Sequence, residues 1–100
     1  MFVTVGKASE IEDGEVTAFD VEGQTIAVAN LGGRFYAFDD ECTHEGCSLA
    51  DGDVADNAVT CPCHGSQFDV TTGAVLTGPA EVPVSTYPLQ VVDDDLKIEI

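Results

Sequence analysis

CTHEGC (residues 42–47) and CPCHGSQF (residues 61–68) hold all four cysteines and both histidines of the chain. Six soft or borderline ligands thus fall within the 23 positions from Cys42 to His64, in a sequence of 100 residues. Such crowding has three chemical readings. Two disulfides would staple a small fold, but they need an oxidising compartment and leave His44 and His64 without a role. A tetrahedral zinc ion can take two thiolates and two imidazoles, yet Cys42-x-His44 is tight for that geometry and two cysteines are left over. A two-iron, two-sulfur cluster can take two thiolates on one iron and two imidazoles on the other, each box giving one of each.

Outward from the boxes, the chain reads as short strands broken by turn residues, with no sustained helical period. FVTV (2–5) runs up to Gly6, and VTAFDV (16–21) and TIAVAN (25–30) flank a hairpin turn around Gly23. NLGGR marks a second turn before the aromatic strand RFYAF (34–38), read as core. LQVV (89–92) and LKIEI (96–100) flank DDD, a third hairpin signal, and the alternation of Leu96, Ile98 and Ile100 with Lys97 and Glu99 suits a strand with one wet face. This spacing of turns predicts an all-β sandwich or barrel. Residues 40–80 are expected to form a loop-rich lobe within one domain spanning 1–100, since no linker or internal repeat is visible.

Nineteen acidic against three basic residues give a net charge of −16. That surface repels phosphate backbones and anionic membranes, which argues against nucleic acid and membrane partners, and it steers the chain toward a basic protein. MFVTVGKASE lacks the basic and apolar regions of a signal peptide. No apolar run approaches the roughly 18 residues of a membrane span, so a cytoplasmic location is expected.

Cys-x-His, 16 intervening residues, then Cys-x-x-His resembles the Rieske iron–sulfur motif, and GPA (78–80) resembles the loop that covers the cluster in that family. The resemblance extends over nearly the whole chain. It implies three small antiparallel sheets with a cluster-binding lobe, one [2Fe-2S] cluster, and Cys42, His44, Cys61 and His64 as its ligands. It also implies a Cys47–Cys63 disulfide, from what look like equivalent places on facing loops. Ser66 resembles a serine that bonds a bridging sulfide, Pro79 a residue shielding the cluster, and Gly46 and Gly65 permit tight loops. Phe68 stands where high-potential relatives carry a tyrosine, so here it is read as packing.

Membrane-anchored members have the two extra cysteines, but also an apolar residue after the first histidine, where this chain has Glu45. Rieske oxygenases add a mononuclear iron on two histidines and a carboxylate; both histidines here are already used, and none remains as a base for a nucleophilic triad. The implied role is therefore an electron carrier, not an enzyme, between a flavin-dependent NAD(P)H reductase and a terminal oxygenase, docking through its acidic surface. The alternatives are a small Rieske subunit or regulatory module of a larger redox complex, and a zinc-loaded structural protein.

Overall fold

The computed structural model describes residues 1–43 and 46–100. Among the described residues eleven strands form three antiparallel sheets. The first joins β1 (Phe2–Lys7), β11 (Asp95–Glu99) and β10 (Leu89–Val92) in the order β1-β11-β10. The second has the order β2-β3-β4-β9, from β2 (Val16–Val21), β3 (Gln24–Leu31), β4 (Arg34–Asp39) and β9 (Thr86–Tyr87). The third is a meander of four three-residue strands, β5 (Asp53–Ala55), β6 (Ala58–Thr60), β7 (Gln67–Asp69) and β8 (Val75–Thr77).

The three hairpin signals each mark a two-residue turn. Val21 faces Gln24 across Glu22–Gly23, Leu31 faces Arg34 across Gly32–Gly33, and Val92 faces Asp95 across Asp93–Asp94. All six turn residues have positive φ, the conformation whose twist matches that of paired strands and which Gly, Asn and Asp adopt most readily. A fourth such turn, Asp56–Asn57, joins β5 to β6. It lies inside the segment read as loop-rich, where the third sheet now replaces much of the expected loop. β1 also runs through Gly6 to Lys7, because a bulge between Thr4 and Gly6 absorbs the irregularity.

The second sheet is the middle layer, and β3 shows why TIAVAN is nearly all apolar. Ile26 and Val28 point into one core with Ala37 of β4 and with Leu96 and Ile98 of β11. Ala27 and Ala29 point into the other, with Phe38 of β4, Val54, Val59 and Phe68 of the third sheet, and Cys42, Leu49 and Cys61. A strand covered on both faces loses the polar alternation of a half-exposed one. Small alanines on the second face let the loops carrying Cys42 and Cys61 approach. Burying a side chain such as Leu96 or Ile98, both fully covered, contributes roughly 1.5–3 kcal/mol each.

Candidate metal centre

The two boxes fold into loops closed by the same backbone pattern. In the first, Cys42 N–H donates to the Cys47 carbonyl (2.9 Å) and Gly46 N–H to the Cys42 carbonyl (2.8 Å). In the second, Cys61 N–H donates to the Ser66 carbonyl (2.7 Å) and Gly65 N–H to the Cys61 carbonyl (3.1 Å). Each loop therefore turns at a glycine four residues after its cysteine, with φ of 73° at Gly46 and 78° at Gly65. A side chain at either position would strain the left-handed backbone, which accounts for both glycines.

This shared frame puts Cys42 and Cys61 in matching places. Both are buried, both belong to the core between the second and third sheets, and neither is part of a disulfide. His64 lies on the exposed outer side of the second loop. His44 and Glu45 lie outside the described residues, so the structure does not place the first histidine. Two thiols facing inward from twin loops, with a histidine outward, suit a cluster needing two thiolates and two imidazoles.

Cys47 and Cys63 are joined by a disulfide that ties one loop to the other. Their places are not equivalent, however. Cys47 is the fifth residue after its loop's cysteine and accepts the closing hydrogen bond, whereas Cys63 is the second after Cys61 and is exposed at the turn. In the backbone frame Ser66, not Cys63, matches Cys47. The Cys61 sulfur lies close to the bridge, all three sulfurs falling within 4.8 Å of one another.

The segment 78–84 is fastened to both loops. The Ser66 hydroxyl oxygen, fully buried, accepts from Ala80 N–H (3.0 Å), and Thr43 Oγ1 donates to the Val82 carbonyl (2.6 Å). Ser66 thus fastens the 78–84 segment to the second loop through its oxygen and keeps its O–H to donate elsewhere. Pro79 sits in this tethered segment, exposed on its outer side. Phe68 is wholly buried beside Cys42 and Cys61 in the same core, as packing requires. Thr43, whose acceptor lies 39 residues away, and Asp40 carry no spacing signal in the sequence. The Asp40 carboxylate, nearly buried, accepts from Ala50 N–H (2.9 Å), and its carbonyl accepts from Leu49 N–H (2.7 Å), pinning the exit of the first loop.

Beside that loop a groove of about 620 Å³ is lined by Asp39, Asp40, Glu41, Gln24 and Tyr87 among others. Tyr87 donates its hydroxyl to Asp39, and partial burial together with that carboxylate pushes the phenol up to about 12.

The profile of the Rieske [2Fe-2S] domain matches residues 1–88. The ferredoxin subunit of 3-phenylpropionate/cinnamic acid dioxygenase from Shigella flexneri serotype 5b is 39% identical over 93 residues, covering 92% of this chain and 87% of that one. The cytochrome b6-f complex iron-sulfur subunit of Chlorobaculum thiosulfatiphilum is 38% identical over 96 residues, 96% of this chain, which spans about half (52%) of that subunit's length. Among solved structures, the ferredoxin of carbazole 1,9a-dioxygenase from Nocardioides aromaticivorans IC177 superposes with a TM-score of 0.94 at 31% identity, over 98% of this chain and 96% of that one. The chain belongs to the Rieske [2Fe-2S] domain family. Within it the chain is of the ferredoxin type, an electron-transfer component and not a catalyst, like the relatives it covers almost end to end.

Among the described residues no helix is long and apolar enough to cross a membrane.

Proposed function

We propose that this chain is a one-electron carrier whose [2Fe-2S] cluster is held by Cys42 and Cys61 on one iron and by His44 and His64 on the other. The observation that carries this reading is the pair of identically closed loops, which present two buried cysteines outside the disulfide. A cluster bound there supplies reversible uptake of a single electron. The protein's part is positional. Leu49, Phe68 and Ala80 keep water from the inner, cysteine side, and the Ser66 and Thr43 hydrogen bonds hold the 78–84 segment against both loops. His64, exposed, puts the outer side within reach of a docked partner.

The whole chain acts as one unit in the cytoplasm. It takes electrons from a flavoprotein NAD(P)H reductase and delivers them to a terminal oxygenase, a placement supported by the dioxygenase systems for which its relatives are named. Docking is electrostatic: the net charge of −16, with Asp39 and Glu41 flanking the first loop, favours a basic partner surface. The purified chain should restore NADH-dependent oxygenation when mixed with a reductase and oxygenase of an aromatic-ring dioxygenase system lacking their own ferredoxin. A cluster-loaded chain that is reduced by no such flavoprotein would rule this role out.

A further inference from the structure

Cys61 is a thiol grouped with the disulfide: its sulfur and those of Cys47 and Cys63 lie within 4.8 Å of one another. A thiol so close to a disulfide is a nucleophile next to its electrophile, and exchange between them needs no external oxidant or reductant. What withholds Cys61 is its role as a cluster ligand, so the inference rests on the proposed function.

We propose that whenever no cluster occupies Cys61, its sulfur exchanges onto the neighbouring disulfide and the chain passes to a second covalent state, Cys47–Cys61. The Cys61 sulfur attacks Cys47 Sγ, a Cys47–Cys61 bond forms, the Cys47–Cys63 bond breaks, and Cys63 leaves with the electron pair and takes up the proton that Cys61 gives up. One disulfide and one thiol are present before and after. The structure sets the direction of attack. Attack on Cys63 would bridge two cysteines separated only by Pro62, a tight ring far from ordinary disulfide geometry. Attack on Cys47 instead releases Cys63, which is exposed and leaves into solvent, whereas Cys47 is half-buried. The disulfide already ties the two loops, and the three sulfurs lie within 4.8 Å of one another before any exchange.

In this second state a proposed ligand is locked into a bridge and a thiol appears at the surface. A chain that loses its cluster could then take up a new one only after thiol reduction. Cluster insertion and the native disulfide become mutually dependent: the cluster protects the Cys47–Cys63 pairing, and that pairing leaves Cys61 open to the cluster.

The test maps disulfides in the full-length chain by alkylation without reductant, digestion and mass spectrometry. Three samples are compared: freshly purified protein, the same protein after iron is removed by a chelator in native buffer, and the iron-free protein in concentrated guanidinium. Native protein should show Cys47–Cys63. The iron-free protein in native buffer should shift mostly to Cys47–Cys61, with Cys63 alkylation rising from near zero to the majority of chains. The guanidinium sample should instead give a mixture governed by loop length. Retention of Cys47–Cys63 in the iron-free protein, or a mixture the same as in guanidinium, would overturn the proposal. Iron and sulfide analysis of the fresh protein separates the two readings, since lack of both sinks the electron-carrier role and leaves the disulfide map of the same chain to be read alone.

Discussion

At the scale of single residues, the proposed site depends on side chains that serve the backbone. Ser66 is the clearest example: its buried oxygen is the acceptor for Ala80 N–H. Ser66→Ala removes that acceptor and leaves a backbone donor unsatisfied, which costs about 1–3 kcal/mol. The expected outcome is a lower melting temperature together with faster amide exchange at Ala80, and unchanged protection of that amide would show that the hydrogen bond is not made in solution. The Cys47–Cys63 bridge and the paired loops were legible in the sequence, because cysteines and histidines crowded at fixed spacing have few alternative uses. The partners of Thr43 and Asp40 were not, since a hydroxyl's acceptor 39 positions away leaves no mark in spacing. The supposed equivalence of Cys47 and Cys63 failed for a related reason: sequence position beside a ligand says nothing about where a loop closes its hydrogen bonds.

At the scale of elements, turn chemistry was readable and short strands were not. Glu22–Gly23, Gly32–Gly33 and Asp93–Asp94 announce themselves by residue type. Strands β5 to β8 have three residues each, too few for a period, and exist because neighbours and the core hold them. One consequence concerns Gly52, just before β5, where an added Cβ would run into the Thr60 carbonyl on β6. Backbone on both sides cannot yield, so Gly52→Ala should destabilise the protein by more than about 2 kcal/mol, visible as a lower denaturation midpoint; at Gly65, with open space around it, alanine meets only the φ strain of about 1 kcal/mol. Equal losses at the two sites would contradict this. A second consequence concerns β9, which Tyr87 fastens to β4 through Asp39. The folded protein holds the Tyr87 proton up to about pH 12, while an unfolded tyrosine releases it near 10. The stabilisation is therefore complete below pH 10 and is lost as pH rises from 10 to 12. After allowance for solvent screening of a half-buried group it amounts to about 1–2 kcal/mol. Tyr87→Phe should flatten that alkaline decline in a denaturation series; Lys7, whose ammonium is also raised by Asp95, titrates at the other sheet in both proteins and cancels in the comparison. Identical profiles for the two proteins would refute the assignment.

At the scale of the whole molecule, a middle sheet with a core on each face supports the two twin loops, in a chain carrying sixteen excess negative charges. If docking uses those charges, reduction of the chain by its flavoprotein should slow several-fold between 0.01 and 1 M salt, as the Debye length shrinks from about 30 to about 3 Å. Rates independent of salt would assign the charges to solubility alone. The proposed ligation of one iron by Cys42 and Cys61 and of the other by His44 and His64 can be read by pulsed electron paramagnetic resonance of the reduced protein. The reduced protein should show a single unpaired electron coupled strongly to two imidazole nitrogens, with both couplings abolished when His44 and His64 are replaced. A reduced cluster showing no strong nitrogen coupling would mean ligation by thiolates alone and would contradict it.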